Sequence, residues 1–196
     1  MITTPLNDEL INSVKSIGVE AGSAIMDVYH TDYDIQIKTD NSPVTEADKK
    51  ANTIISNKLN QLTPDIPILS EEGRNIPFSE RSNWTSFWLI DPLDGTKEFI
   101  KKNDEFTVNI ALLQQNQPIL GVVFAPALNT LYWGSREKGS FKSSNGDKYR
   151  LITVNSQITN PVQIAVSRSH PSTTMNSFIS QFDEYVLYPM GSSLKI

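Results

Sequence analysis

Apolar residues recur at steps of three and four between residues 6 and 29, at Leu10, Val14, Ile17, Ala21, Ile25 and Val28, which predicts an amphipathic helix. Ile35 and Ile37 then alternate with polar neighbours as a short strand, and TDNSP reads as a turn stopped by Pro43. A second helix follows with the apolar face Ala47, Ala51, Ile54, Ile55, Leu59 and Leu62, its start marked by Thr45 with Asp48 three residues on. From residue 66 the pattern changes to strands: IPILS, FWLID, TVNIALL, PILGVVFAP and TLYWGS, with an Asn145-Gly146 hairpin signal before KYRLITV. After Pro161 the segments VQIAV, STTMNSFISQF and EYVLY alternate as strand, helix and strand, the order of a parallel unit. The expected fold is α+β. Paired helices cover an antiparallel meander in a first domain, residues 1–155, and a partial α/β domain, residues 156–196, comes after it. A unit of roughly 40 to 50 residues without metal or disulfides rarely stands alone, and the chain stops at GSSLKI, where another helix would begin.

Composition narrows the chemistry. With 17 basic and 22 acidic residues the net charge is −5, so no basic stripe is available to neutralise nucleic-acid phosphates, and nucleic-acid binding is not expected. Cysteine is absent and His30 and His170 are the two histidines, so any metal must be held mainly by oxygen, which favours magnesium, manganese or calcium. The amino terminus lacks a basic region followed by an apolar one, and a cytoplasmic location is the default, with a peripheral position at the inner membrane as its variant. The uncharged run from Phe106 to Ser135 is broken by Gln114, Gln115, Asn116, Gln117 and Pro118 and suits two buried strands rather than a membrane span.

None of the nine glycines is followed two residues later by another, and no Gly-Lys-Ser/Thr or Gly-x-Ser-x-Gly occurs, so dinucleotide, P-loop and serine-hydrolase readings lack their fingerprints. WLIDPLDGTKEF, residues 88–99, stands out instead. An apolar strand runs into Asp91 and Asp94, then Gly95 and Thr96, then a helix-compatible stretch. Two carboxylates at one strand end raise each other's pKa unless divalent cations neutralise them, and a helix opening after Gly95 offers N–H groups to a phosphate. The plain alternative is an Asp-Gly turn with an N-cap. ILSEEG, residues 68–73, adds Glu71 and Glu72, which can equally form a solvated acidic turn, and Thr45-x-x-Asp48 is by itself a capping box.

Taken together, KTDNSPVTEAD (38–48), ILSEEG and WLIDPLDGTKEF resemble the motifs of the magnesium-dependent, lithium-sensitive phosphomonoesterase family that includes inositol monophosphatase. The Lys97-Glu98-Phe99 continuation, SRSH (167–170) and GSSLK (191–195) are similar to its bacterial CysQ type, the 3'(2'),5'-bisphosphate nucleotidases. The resemblance implies a layered α/β/α/β/α arrangement. It also implies one magnesium on Glu71, Asp91 and the Leu93 carbonyl and a second on Asp91 and Asp94, ions about 3.5 to 4 Å apart that activate water and stabilise both reacting oxygens. By the same resemblance Asp48 and Thr96, with Glu71, orient and deprotonate the attacking water. The phosphate rests on Asp94, Gly95 and Thr96 beside Glu71 and Leu93, and His170, Ser192 and Lys195 face the nucleoside and its other phosphate. Family members continue well past this point, typically with a Trp-Asp-x-Ala-Ala segment whose aspartate ligates the second metal. None is present here, which implies a complete first metal site, a second one short of a carboxylate and a pocket short of a wall.

The expected reaction is removal of the 3'-phosphate from 3'-phosphoadenosine 5'-phosphate to give AMP, a by-product of sulfate activation. An inositol or sugar phosphate as substrate, or a catalytically incomplete metal- or nucleotide-binding fragment, are the alternatives. A haloacid-dehalogenase-like phosphatase would need its two aspartates two residues apart; here the interval is three and Pro92 intervenes. The expected partner is a small phosphorylated nucleotide, and a homo-oligomer would cover apolar sheet edges of the second unit.

Overall fold

The computed structural model describes residues 6–37, 43–169 and 173–195. Helix α1 (Asp8–Tyr29) is capped by Asn7, whose side chain accepts the Leu10 N–H at 2.8 Å, and all six residues of its expected apolar face are buried. Strands β1 (Ile35–Ile37) and β2 (Pro43–Thr45) pair antiparallel. Ile35 and Ile37 are both exposed, so alternation there marks a surface ribbon rather than a half-buried strand. Most of the expected TDNSP turn falls outside the described residues, and Pro43 itself begins β2. Helix α2 (Glu46–Leu62) follows, burying Ala47, Asp48, Ala51, Ile55 and Leu59.

Next come β3 (Ile68–Ser70), the short helix α3 (Phe78–Arg81), β4 (Ser86–Asp94), the short helix α4 (Thr96–Ile100), β5 (Thr107–Gln114), β6 (Gln117–Ala125), β7 (Thr130–Ser135), β8 (Gly139–Ser144) and β9 (Arg150–Ile152). The seven strands β3 to β9 form one sheet in sequence order. Six of them make the expected antiparallel meander, but β3 pairs parallel to β4. That is a correction with a physical cause. The connection through α3 is long enough to return the chain to the starting end, which a hairpin cannot do. A second sheet contains the expected parallel pair β10 (Val162–Ser167) and β11 (Tyr185–Met190), linked through helix α5 (Thr173–Ile179). A 3-10 turn, Ser192–Lys195, follows β11. Tyr185, Val186, Leu187 and Tyr188 of β11 are exposed. The class is mixed α+β, as the patterning predicts, and no described helix is long and apolar enough to cross a membrane.

Register explains which face is buried. Trp88, Leu112 and Leu120 lie side by side across β4, β5 and β6, as do Ile90, Ile110 and Val122, and all six are buried in the core that α1 and α2 cover. The intervening row Leu89, Ala111 and Gly121 faces the other way, with Leu89 exposed, and so does the next, Asp91, Asn109 and Val123. The alternation that fills the core therefore sends Asp91 to the face away from the two long helices.

Trp88 ties the α2 end to the sheet. Its buried indole N–H donates to Thr63 Oγ1 at 2.9 Å, and Thr63 Oγ1 donates to the Leu59 carbonyl at 3.0 Å. Thr63→Val keeps the shape and leaves the indole unpaired, so urea denaturation should show a loss of about 1–3 kcal/mol. A loss within error would mean that this bond contributes nothing.

Candidate active site

Asp91 and Asp94 are three residues apart, and on a regular strand they would point to opposite faces. The β4–β5 ladder prevents this. Asp91 lies opposite Asn109 and Asp94 opposite Thr107, so three steps on β4 match two on β5 and one residue is bulged out. Pro92 and Leu93, which occupy the bulge, are both buried, and Pro92 has no N–H to lose from the ladder. The two aspartates thus share the outward face with Asn109 and Thr107, whose side chains are themselves linked at 3.0 Å.

The parallel pairing brings the third carboxylate. Ser70 lies opposite Ile90, the Glu71 N–H donates to the Ile90 carbonyl at 3.2 Å, and Glu71 therefore arrives beside Asp91. Burial, and then the charges of Glu71 and Asp94, push the Asp91 carboxyl up to about 8; a hydrogen bond with Glu71 acts the same way, while the Leu93 N–H opposes it. Asp94 is held differently. Its Oδ2 accepts from Ser192 Oγ at 2.7 Å, Ser193 Oγ at 2.6 Å and Asn109 Nδ2 at 3.3 Å.

Asp48 lies on α2, only 2% exposed. Its Oδ2 accepts the Thr45 N–H at 2.7 Å and the Thr45 hydroxyl at 2.6 Å, which is the capping arrangement expected at this helix start. Its other oxygen, Oδ1, accepts from Thr96 Oγ1 at 3.2 Å, across 48 positions of sequence, and the same Thr96 proton reaches the Leu93 carbonyl at 3.3 Å. Asp48 is therefore a cap and a partner of Thr96 at once. Burial raises its pKa against the hydrogen bonds from Thr45 and Thr96 that lower it.

Glu71, Asp94 and Thr96 border a cleft of about 380 Å3 with Gly95, Ser192 and Lys195, whereas Asp91 lines a separate hollow on the sheet face that shares Glu71 with it. Gly95 has φ +92°, a left-handed conformation that suits glycine, and turns the chain from β4 into α4. Helix α4 has five residues, so a phosphate there would meet individual N–H groups more than a macrodipole. The Lys195 ammonium donates to the Ser192 carbonyl. His170, expected to face the nucleoside, lies outside the described residues. Asn109, Thr107 and Ser193 were not among the expected residues. The available signal was Asn109, a polar residue at an outward position of the apolar strand TVNIALL.

The donor set consists of oxygens, which suits a hard divalent cation. In the present side-chain arrangement no three Asp, Glu or His groups among the described residues stand in ligating position around one point. Glu71 is turned onto Asp91 and Asp94 onto the two serines. A shared proton is one way to relieve the repulsion at Asp91, and a divalent cation is the other. The charge pattern thus fits the metal.

The sequence profile of the inositol monophosphatase family matches residues 6–195. The chain belongs to that family. It is 43% identical over 188 residues to the 3'(2'),5'-bisphosphate nucleotidase CysQ of Escherichia coli K12, an alignment that covers 95% of this chain and 74% of the relative. Among solved structures, CysQ of Bacteroides thetaiotaomicron, a bacterial member of the inositol monophosphatase family, matches with a TM-score of 0.78 and 31% identity, covering 95% of this chain and 74% of its own. An IMPase/NADP phosphatase complexed with Mg2+ and phosphate matches with a TM-score of 0.69 and 23% identity, over 92% of this chain and 66% of its own, a likeness of fold.

The raised pKa of Asp91 has a definite sign in stability. Below about 3.8 the carboxyl is protonated folded or unfolded; between there and about 8 the folded chain keeps a proton that the unfolded chain releases, so stability falls as pH rises through this window. Asp91→Asn removes the effect. In EDTA, the drop in melting temperature from pH 4 to pH 8 should be smaller for Asp91→Asn than for the parent. Parallel curves would show that Asp91 does not hold the proton.

Proposed function

We propose that this chain is a magnesium-dependent phosphomonoesterase that hydrolyses the 3'-phosphate of 3'-phosphoadenosine 5'-phosphate to AMP and inorganic phosphate, by direct attack of water. The observation that carries the reading is the bulge that turns Asp91 and Asp94 to one side beside Glu71, together with the hydrogen bond from half-buried Thr96 to buried Asp48. The choice of a bisphosphate nucleotide is supported by the 43% identity to the Escherichia coli nucleotidase over most of the chain.

Glu71, Asp91, the Leu93 carbonyl and Asp94 would hold the magnesium, which when bound supplies the charge that neutralises these carboxylates and acidifies the attacking water. Thr96 Oγ1 borders the cleft and donates to Asp48 Oδ1. A water donating to Thr96 passes its proton there as Thr96 gives its own to Asp48. The desolvation that raises the Asp48 pKa makes it a stronger base than an exposed carboxylate. The water oxygen bonds to phosphorus as the bond to the ester oxygen breaks, and that oxygen leaves as the 3'-hydroxyl on taking a proton from solvent water, to which Asp48 afterwards returns the proton it received. The N–H groups of Gly95 and Thr96 face the phosphate, and Lys97 and Lys195 at the cleft supply positive charge for the second phosphate.

The test is phosphate release from 3'-phosphoadenosine 5'-phosphate by the 196-residue chain, in magnesium and in EDTA, beside inositol monophosphate. Magnesium-dependent release that favours the nucleotide is expected. Thr96→Ala should lower kcat by about 100-fold or more, and Asp91→Asn or Asp94→Asn should abolish metal-dependent turnover. Preference for inositol monophosphate would replace the substrate, and no release from the folded parent would sink the reading.

A further inference from the structure

The half of the cleft that carries Ser192 and Ser193 is attached by a contact that involves none of Glu71, Asp91 and Asp94. Glu105, in the loop between α4 and β5, takes a forked pair of hydrogen bonds from Arg168 just past β10, Nε to Oε2 at 2.6 Å and Nη2 to Oε1 at 2.7 Å. Its Oε2 also accepts the Gly191 N–H at 2.8 Å, and Arg168 Nη2 reaches the Pro189 carbonyl at 2.7 Å. One carboxylate thus gathers the ends of β10 and β11. At Gly191 an added Cβ would lie 2.6 Å from Glu98 Cγ and 2.9 Å from the Glu105 carbonyl, so no side chain fits where the two segments cross.

The next residue, Ser192, has φ +52°, which a serine adopts only when its surroundings impose it. Those surroundings are specific. Ser192 Oγ lies 2.7 Å from both Asp94 Oδ2 and Thr107 Oγ1, and Ser193 Oγ lies 2.6 Å from Asp94 Oδ2 and 2.9 Å from Asn109 Nδ2. The Glu105 loop is fixed from the other side: Lys102 donates to the Tyr29 carbonyl among the rings of Tyr29, Tyr33 and Phe99, and the Tyr29 hydroxyl donates to Asp104 at 2.8 Å. A continuous path therefore runs from the end of α1 through the loop, the fork and the serine turn to one oxygen of Asp94.

We propose that Glu105 and Arg168 are positioning residues for Asp94, acting through the Ser192–Ser193 turn, an inference that rests on the reading of Asp94 as a metal ligand. Arg168 is exposed and Glu105 half-buried, and an ion pair open to solvent on one side contributes only modestly to stability, so the effect of this one lies in the geometry it gives the serines. Groups that orient a ligating carboxylate typically change metal affinity by about 10- to 100-fold when removed.

Mn2+ binding, read from the electron paramagnetic resonance signal of the free ion, tests this without turnover. Arg168→Ala should weaken Mn2+ binding by about 10-fold with little change in melting temperature. Arg168→Lys, which keeps the charge but lacks the fork, should behave the same way. In a Ser192→Ala/Ser193→Ala background, Arg168→Ala should add less than about twofold, because the two changes act on one path. Glu105→Gln keeps the side chain's size, should weaken binding likewise, and serves where Arg168→Ala fails to fold. Unchanged Mn2+ affinity in the Arg168 and Glu105 variants, or an equally large loss in the serine-less background, would overturn the proposal. If Asp94→Asn binds Mn2+ as the parent does, it is the reading of Asp94 as a ligand that fails, and the positioning role falls with it.

Discussion

A strand places its side chains alternately on two faces, and the site depends on breaking that alternation once. Between Asp91 and Asp94 the β4–β5 ladder absorbs one extra residue, so carboxylates separated by an odd number of positions come to the same face. Without the bulge, a regular β4 that kept Asp91 outward would direct Asp94 toward the core under α1 and α2. Pro92 and Leu93 are buried side by side instead, which is how the bulge is accommodated without an exposed apolar residue. Everything else in the site is arranged around these two positions: Glu71 by the parallel register of β3, Thr96 by the Gly95 turn, and the two serines by the turn that follows β11.

Concentrating carboxylates has an electrostatic consequence that the structure handles in three ways. Asp48 is almost wholly buried and is stabilised by donors, two from Thr45 and one from Thr96. Asp94 is surrounded by the donors of Ser192, Ser193 and Asn109. Asp91 has no comparable set; it faces two other carboxylates and its pKa is the one driven far upward. The group with the largest unmet demand for positive charge is therefore the one that feels both Glu71 and Asp94. A well-filled core makes this tolerable, since the rows through Trp88 and Ile90 bury large side chains directly behind the site.

Much of this was legible before the structure. The 3.6-residue period of α1 and α2 is long and regular, so their existence and buried faces follow from it. The strands of the meander are equally plain where they alternate apolar and polar residues. The sequence does not carry the parallel pairing of β3, because three residues of apolar character look the same in either direction. Nor does it announce β8, whose GSFKSS is largely polar and is held as a strand by its neighbours. The three ligand-type carboxylates could be picked out by motif, whereas Ser193 and Thr107 carry no local signal. They matter only because a segment 98 to 99 positions away folds back onto Asp94 and meets Thr107 beside it. Asp48 shows the limit from the other side: its capping role was visible in Thr45-x-x-Asp48, and its contact with Thr96 needed the tertiary fold.

The two halves of the cleft rest on different kinds of interaction. Asp91 and Glu71 are placed by backbone ladders that cannot shift without disturbing a buried sheet. The Ser192–Ser193 turn is placed by side chains: a forked arginine, a glycine contact and hydroxyls that reach one aspartate. Local openings in proteins follow the regions with few buried apolar contacts, and β11, whose residues Tyr185 to Tyr188 are exposed, leads directly into this turn. Release of the turn would expose Asp94 Oδ2 and widen the cleft while leaving Asp91, Glu71 and the Asp48–Thr96 pair in place. The carboxylates held by the ladders and the hydroxyl donors held by the fork and the glycine contact therefore rest on separable interactions, so a substitution at Glu105 or Arg168 reaches Asp94 without passing through β3 or the β4–β5 ladder.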